Sequence, residues 1–161
     1  MKNLENKEIL SDEILNAIDL IIYSCPNAVF GGSIALNAIG LINRQISDID
    51  LFFGINESLT KNGFLQINRH DGIMSDTVTN TNGVEIQRTG VKIAGVKTCC
   101  FKVSDEELQH SKYIFNRNGK EFKICIQNVN YAIEAKKAYS KRNPKHQNDL
   151  ESIKSILDGL F

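Results

Sequence analysis

The sequence predicts an α+β protein in which helices pack against a small mixed β-sheet. Helix-like and strand-like segments alternate early in the chain, β-branched segments then flank turn-forming residues, and helical periodicity returns at the end. The 161 residues contain no repeats and no obvious linkers. We therefore expect a single domain over residues 1–161, with a core over about 8–127 and a C-terminal helical segment over about 128–161.

The first four elements are predicted from capping residues and apolar periodicity. A helix begins at Ser11, because a hydroxyl residue followed by two acids favours a helix N-terminus, and Pro26 ends this region. A short apolar strand, Ala28–Phe30, leads into two glycines. A helix over Ser33–Ile42 and an apolar strand over Ile49–Gly54 follow.

The later elements are predicted from turn residues between β-branched segments. Asn82-Gly83 is a preferred tight-turn pair and predicts a hairpin over Met74–Arg88. The other predicted elements are a short helix at Glu57–Asn62, a strand-like stretch around Cys99-Cys100, a hairpin of Lys112–Asn116 with Glu121–Gln127, and helices from Val129 and from about His146 to Leu160, with a break at Asn143-Pro144.

The bulk composition excludes several classes of protein. Lys and Arg total 19 and Asp and Glu total 19, so the net charge is zero and no global field draws the chain to nucleic acid or membrane. No apolar stretch approaches the roughly 20 residues of a membrane span, and the N-terminus is too polar for a signal peptide. The cysteines at 25, 99, 100 and 125 have no metal-ligand spacing. We expect a cytoplasmic protein with reduced thiols and no membrane partner.

Two aspartates, Asp48 and Asp50, lie one residue apart at the start of an apolar run. Alternate side chains of a strand point to the same face, so the two carboxylates project together while Ile49 and Leu51 face the other way. Two adjacent carboxylates repel each other unless a cation lies between them. Mg²⁺ is the expected occupant, because it prefers oxygen ligands and shares them with substrate phosphates.

The preceding Gly31-Gly32-Ser33 run predicts a phosphate-binding segment. Glycines allow the backbone to approach phosphates closely, and a helix that begins here offers free N–H groups. The hydroxyl of Ser33 could bind a triphosphate oxygen, cap the helix, or do both. We therefore predict nucleotide binding at Gly31, Gly32 and Ser33.

These residues resemble a known family. Phe30-Gly31-Gly32-Ser33 with Asp48-Ile49-Asp50-Leu51 resembles the signature of the nucleotidyltransferase superfamily that includes DNA polymerase β. The longer string that continues through Arg44-Gln45-Ile46-Ser47 is similar to minimal bacterial nucleotidyltransferases, including the AbiE-type toxins and their antibiotic-modifying relatives. The resemblance implies a small mixed-sheet core and Mg²⁺-dependent transfer of an NMP from an NTP. One departure is a spacer between Ser33 and Asp48 that is longer than usual.

A third carboxylate is expected, because two Mg²⁺ ions that clamp the attacking and leaving oxygens need about three acids. Glu85 is our choice, since it lies on the polar side of the alternating Val84–Gln87 segment and the resemblance implies an acid on a later strand. Asp48, Asp50 and Glu85 are thus the predicted catalytic and metal-binding residues. Asp76 on the partner strand is the main competitor, and Asp71 in a predicted turn is a weaker one.

Basic residues cluster between Lys136 and His146, and this is the one local patch suited to a triphosphate or to nucleic acid. The cluster is similar to later motifs of the small nucleotidyltransferases, in which a helical Lys reaches the triphosphate and a Lys-x-x-x-Asp-Leu run follows. Lys136 fits that helical Lys best, and Lys137 is the alternative. Lys145 and Asp149 match the run, whereas His146 stands where many relatives have an acid.

Three functions remain open at this stage. The first is an active nucleotidyltransferase that modifies a hydroxyl of RNA, tRNA, a protein or a small molecule and releases pyrophosphate. The second is a catalytically silent protein of the same fold that binds a nucleotide or RNA. The third is the toxin of a toxin–antitoxin pair, held by a cognate antitoxin or another partner subunit.

Overall fold

The structure, a computed structural model, describes residues 2–3, 10–42, 44–55, 74–79, 85–117, 119–139 and 144–158. The helices are α1 (Asp12–Ser24), α2 (Gly32–Ala38), α3 (Val129–Tyr139) and α4 (Pro144–Asp158). The strands are β1 (Lys2–Asn3), β2 (Val29–Phe30), β3 (Asp48–Gly54), β4 (Met74–Thr79), β5 (Glu85–Ile93), β6 (Val96–Val103), β7 (His110–Arg117) and β8 (Lys120–Gln127).

The strands form one mixed sheet in the order β1-β7-β8-β2-β3-β6-β5-β4. The central strand β3 is antiparallel to β2 and parallel to β6. Helix α1 packs against β5 and β6, while α2 packs against β3, β8 and α3. The predicted α+β class with a mixed sheet and packed helices is confirmed.

Helix α1 begins where its sequence signals predict, whereas helix α2 ends earlier than predicted. Ser11 caps α1 as predicted, because its Oγ accepts the Ile14 N–H at 3.3 Å. Helix α2 is shorter than the predicted Ser33–Ile42. It ends at Ala38, and Gly40 then turns the chain with a φ of 80° that other residues rarely adopt.

Both predicted hairpins are observed as antiparallel pairs. Strand β4 pairs with β5 from Thr79↔Glu85 onward, although the expected Asn82-Gly83 turn lies outside the described residues. Strand β7 pairs with β8 along its whole length. A third hairpin joins β5 to β6 through a tight turn at Ala94 and Gly95, both with positive φ. The predicted helix Glu57–Asn62 lies outside the described residues.

The two faces of β3 differ as the alternation predicted. Ile49, Leu51 and Phe53 are buried in the core beneath α1 and α2. The opposite side of β3, β6 and β5 we call the open face. Its described residues are exposed or half-buried apart from the last residues of β3 and β6, and they include Asp48, Asp50, Phe52, Arg88, Gly90, Lys92, Lys97, Cys99 and Phe101.

Two further expectations concern the thiols and the membrane. Cys25, Cys99, Cys100 and Cys125 are all free thiols, and the reduced state stays a prediction. Among the described residues, no helix has the length and apolar character that crossing a membrane requires.

Candidate functional site

The glycine run and the aspartate pair meet where β2 ends and β3 begins. The Gly31 N–H donates a hydrogen bond to the Asp50 carbonyl at 2.9 Å, which extends the β2–β3 pairing up to the start of α2. Gly32 has a φ of 54°, and a Cβ at this position would collide with the Asp50 carboxylate. Glycine is therefore required here twice, for its backbone conformation and for the space that Asp50 occupies.

We expect Gly32→Ala to destabilise the protein by about 1–3 kcal/mol more than Gly95→Ala does. Both glycines have positive φ, so both variants incur the same kind of backbone strain, but a Cβ at Gly95 has nothing within 4 Å. Differential scanning calorimetry of the two variants isolates the collision with Asp50. Equal melting temperatures would show that the carboxylate moves aside at no cost.

The aspartate pair is electrostatically strained. Burial and the neighbouring Asp48 carboxylate raise the pKa of Asp50 to about 6, against smaller opposing effects of nearby lysines. Lys145 Nζ lies 3.8 Å from Asp48 Oδ1 and donates to Ser47 Oγ at 3.4 Å. A bound cation would relieve the repulsion between the two carboxylates, so the arrangement favours a cation at this place.

Ser33 lies beside this pair and is surrounded by cations. Its Oγ accepts a hydrogen bond from Arg44 Nη2 at 2.9 Å and one from Lys136 Nζ at 3.3 Å. Ser33 is not the helix cap, which is a correction to one of its predicted roles: Gly31 holds that position, without a side-chain cap. The predicted nucleotide-binding residues Ser33 and Lys136, 103 residues apart in the chain, are thus in direct contact.

Asp149 holds the two cations in place. Its Oδ1 accepts from Arg44 Nε at 2.7 Å, and its Oδ2 accepts from Arg44 Nη2 and from Lys136 Nζ, both at 2.8 Å. Burial alone would raise the pKa of Asp149, but the hydrogen bonds from Arg44 and Lys136 outweigh it and hold the pKa below its ordinary value. Ser33, Arg44, Lys136 and Asp149 form what we call the cation cluster.

His146 packs against this cluster as a neutral ring. Its Nδ1 lies 3.2 Å from Lys136 Nζ, and because an ammonium only donates, Nδ1 must be the acceptor. Burial and the positive charge of Lys136 lower the pKa of His146, in agreement with that neutral form. The ring therefore accepts a hydrogen bond from Lys136 without adding charge to the cluster.

Lys137, the alternative to Lys136, does not reach the site. Its Nζ lies 3.1 Å from Glu134 Oε1 on the exposed side of α3. Adjacent helical residues point about 100° apart, so only one of the two lysines can face α2 and α4. The tertiary structure thus separates two candidates that the sequence could not rank by geometry.

Glu85 is not brought to the aspartate pair. Asp50 on β3 is aligned with Cys99 on β6, which is in turn aligned with Gly90 on β5. Glu85 lies five residues before Gly90, about 16 Å away along β5. The pairing of β5 is unbroken, so Glu85 shares its side of the sheet with Val91, which is buried in the core. The prediction that Glu85 lies on the polar side of its strand is therefore corrected, and the structure does not bring Glu85 to Asp48 and Asp50.

The competing acids do not complete the site either. Asp76 lies on β4, where it is aligned with Arg88 of β5, and two strands, β5 and β6, separate β4 from β3. Asp71 lies outside the described residues. The positions directly opposite the pair on β6 are Lys97 and Cys99. Across the described ranges, no group of three His, Cys, Asp or Glu residues converges as a metal site.

The residues at the pair nonetheless fit one Mg²⁺ ion. Mg²⁺ is usually held by one or two carboxylates, with substrate phosphates and waters completing its coordination. Asp48 and Asp50 provide two such carboxylates on the same side of β3. A second ion would need an acid that the described residues do not supply.

Sequence reasoning missed the most tightly bound residues of the site. Arg44 and Asp149 were noted only within longer motif strings, yet they form a bidentate ion pair between segments 105 residues apart. A charged residue shortly before Asp48 and an acid three residues after His146 were the available signals. Neither signal reveals a partner, because the contact is made by tertiary packing of α4 near α2.

No protein-family model, curated protein or solved structure matches this chain. We therefore infer its function from the residues of the site.

Proposed function

We propose that this protein is a Mg²⁺-dependent nucleotidyltransferase that binds an NTP between the cation cluster and the aspartate pair. The observation that carries the proposal is the position of Ser33. Its hydroxyl contacts Arg44 and Lys136, and it follows Gly32, whose backbone packs against the Asp50 carboxylate. Cations for phosphates and carboxylates for a metal thus occupy adjacent places.

The charges of the site suit an NTP whose β- and γ-phosphates lie at the cation cluster and whose α-phosphate lies near the aspartate pair. Arg44 and Lys136 together outweigh Asp149 by one positive charge, and 28% of the Arg44 side chain is exposed. Lys145 adds a partly exposed cation next to Asp48. Helix α2 has only seven residues, so these side chains, rather than its dipole, are the main source of positive potential.

In the proposed reaction an acceptor hydroxyl attacks the α-phosphorus of the NTP in line with the leaving pyrophosphate. The bond from the acceptor oxygen to phosphorus forms, the bond from phosphorus to the β-phosphate oxygen breaks, and the hydroxyl proton passes to solvent. The cation cluster stabilises the charge that develops on pyrophosphate. Asp48 and Asp50 would hold Mg²⁺ beside the α-phosphate, which the two carboxylates alone would repel. Mg²⁺, when bound, neutralises phosphate charge and orients the reacting oxygens.

The direct test is incubation with each labelled NTP, Mg²⁺ and separate pools of tRNA, total RNA, protein and aminoglycosides. We expect label to move to one acceptor class with release of pyrophosphate, and both to stop when EDTA is added. The absence of any Mg²⁺-dependent NTP binding would contradict the proposal.

A second candidate, a silent nucleotide-binding protein, is favoured by two observations at the aspartate pair. The described residues supply two carboxylates rather than three, and Lys145 already neutralises part of the charge of Asp48. The same assay separates the two functions, because a silent protein binds the NTP in Mg²⁺ and releases no pyrophosphate with any acceptor.

We expect Lys136→Met to weaken NTP affinity by roughly ten- to a hundredfold. The Nζ of Lys136 already donates to Ser33, Asp149 and His146, so the loss comes from the positive charge near the phosphates and from the positioning of Ser33. Lys137→Met should leave NTP affinity unchanged, because Lys137 pairs with Glu134 on the outer side of α3. Isothermal titration with a non-hydrolysable NTP in Mg²⁺ gives both values. Equal affinities for the two variants would remove Lys136 from the nucleotide site.

A further inference from the structure

The open face carries a stacked aromatic pair that has no role in the proposed NTP site. Phe52 on β3 and Phe101 on β6 lie directly across from each other, with ring centroids 5.2 Å apart and an interplanar angle of 19°. Both are half-buried, so part of the pair contacts solvent. Phe52 lies two residues from Asp50 on the same side of β3, about 7 Å along the strand.

Basic residues surround this pair. Lys97 lies across from Asp48, and Lys92 lies across from Lys97; both are exposed. Arg88 lies directly across from Phe101 on β5. Asp76 on β4 is aligned with Arg88, so the two exposed lysines, rather than Arg88, supply the positive charge that a polyanion meets beside the aromatic pair.

The position of the pair relative to the cation cluster matters for the reaction. The cluster lies on the β2 and α2 side of Asp50, whereas Phe101 and Lys97 belong to β6 on its other side. In-line displacement requires the acceptor and the leaving group on opposite sides of the phosphorus. With pyrophosphate at the cation cluster, the acceptor approaches from the side of the aromatic pair.

There is also room for an organic group beside Phe52. A cleft of about 590 Å³ is bordered by Phe52, Leu108 and His110 and by the segment 24–29. This volume is within the range of small-molecule and cofactor sites. The ring of Phe52 therefore has Phe101 on one side and an open cleft nearby.

We infer that the open face beyond Asp50 is an acceptor subsite for the end of a single-stranded nucleic acid. A base stacks against the Phe52–Phe101 pair, Lys97 and Lys92 contact the adjacent phosphates, and the terminal hydroxyl is directed to the aspartate pair. Aromatic rings with flanking cations are the usual means of binding single strands without sequence preference. This inference deepens the proposed function and rests on it for the role of the bound strand as acceptor.

The first test measures binding of labelled oligonucleotides by fluorescence anisotropy, with single-stranded RNA, single-stranded DNA of the same sequence and an RNA duplex. Phe101→Ala should weaken single-strand affinity by roughly five- to a hundredfold, the usual effect of losing one base–aromatic stack. Phe101→Leu should weaken it similarly while keeping apolar bulk, and Phe101→Trp should retain it. Tyr23→Ala is the matched control, because Tyr23 is an aromatic residue with 86% of its surface exposed, outside the open face.

The second test addresses the phosphates. Lys97→Ala should reduce the slope of log affinity against log salt by about 0.7, the value for one phosphate contact with a single strand. Lys102→Ala should not change the slope, since Lys102 lies on the same strand but points to the opposite side of the sheet from Lys97.

The outcomes separate this inference from the proposed function. Unchanged single-strand affinity in Phe101→Ala, or duplex binding as tight as single-strand binding, would overturn the inference. A wild-type protein that binds NTP but binds no single strand would also overturn the inference, and this result would be consistent with the proposed function. Single-strand binding that depends on Phe101 without any NTP binding would support the subsite and refute the proposed function. A preference for RNA over DNA identifies which of the two strands is the acceptor.

Discussion

Replacing Asp50 with Asn should abolish nucleotidyl transfer and, in EDTA, raise the melting temperature. Outer-shell partners of a metal already cost 10–100-fold when removed, so we expect loss of a direct ligand to cost more than about a hundredfold in rate. The stability gain follows from the pKa of Asp50, which burial and Asp48 raise from 3.8 to about 6. At neutral pH the charged carboxylate therefore costs on the order of 1–3 kcal/mol, which Asn removes.

Magnesium should distinguish the variant from the wild type. Mg²⁺ stabilises a folded protein that binds it, so it should raise the melting temperature of the wild type and leave that of Asp50→Asn unchanged. Glu85→Gln is the control, because Glu85 lies about 16 Å along β5 from the position aligned with Asp50 and should retain both transfer and the Mg²⁺ effect. Retained transfer in Asp50→Asn would refute the metal site, and loss of transfer in Glu85→Gln would restore the original assignment.

Asp149→Asn should have the largest effect on stability, a loss of about 3–5 kcal/mol. Asp149 is 3% exposed and accepts hydrogen bonds from both Arg44 and Lys136. Removing its charge leaves two cations, one of them almost fully buried, without their counter-ion, and uncompensated buried charges are strongly destabilising. Urea unfolding followed by circular dichroism measures the change.

A double variant tests whether the loss comes from the unpaired charge. Lys136→Met combined with Asp149→Asn removes one stranded cation, so it should be more stable than Asp149→Asn alone, which reveals the coupling of the two residues. Glu151→Gln is the matched control on the same helix, because Glu151 is exposed and should change stability by less than about 0.5 kcal/mol. If the double variant is no more stable than Asp149→Asn, the loss of stability does not come from the unpaired charge of Lys136.

The elements of the fold were largely predictable, because turns and caps depend on neighbouring residues. Ser11 caps α1, and both expected hairpins form with β4 and β5 and with β7 and β8. The β5–β6 hairpin was missed because its turn contains Ala94, which adopts positive φ although few alanines do. Such a turn has no sequence signal as strong as Asn-Gly.

The error at Glu85 has a different origin. Alternation in Val84–Gln87 indicates which residues share a side of a strand, but a short segment does not indicate which side faces the core. That choice was made by the register of β5 against β6, where Val91 and Ile93 are buried. The same alternation gave the correct result at Asp48 and Asp50 because Ile49, Leu51 and Phe53 make the apolar side unambiguous.

The sequence by itself determined the aspartate pair on one side of β3, the glycines before α2 and the mixed sheet with packed helices. These features follow from strand alternation, backbone freedom and local turn chemistry, which act over a few residues. Only the tertiary structure decided that Lys136 rather than Lys137 meets Ser33, and that Arg44 and Asp149 lock that contact. Those contacts join segments 103 and 105 residues apart, and they depend on how α3 and α4 pack near α2, which no local pattern encodes.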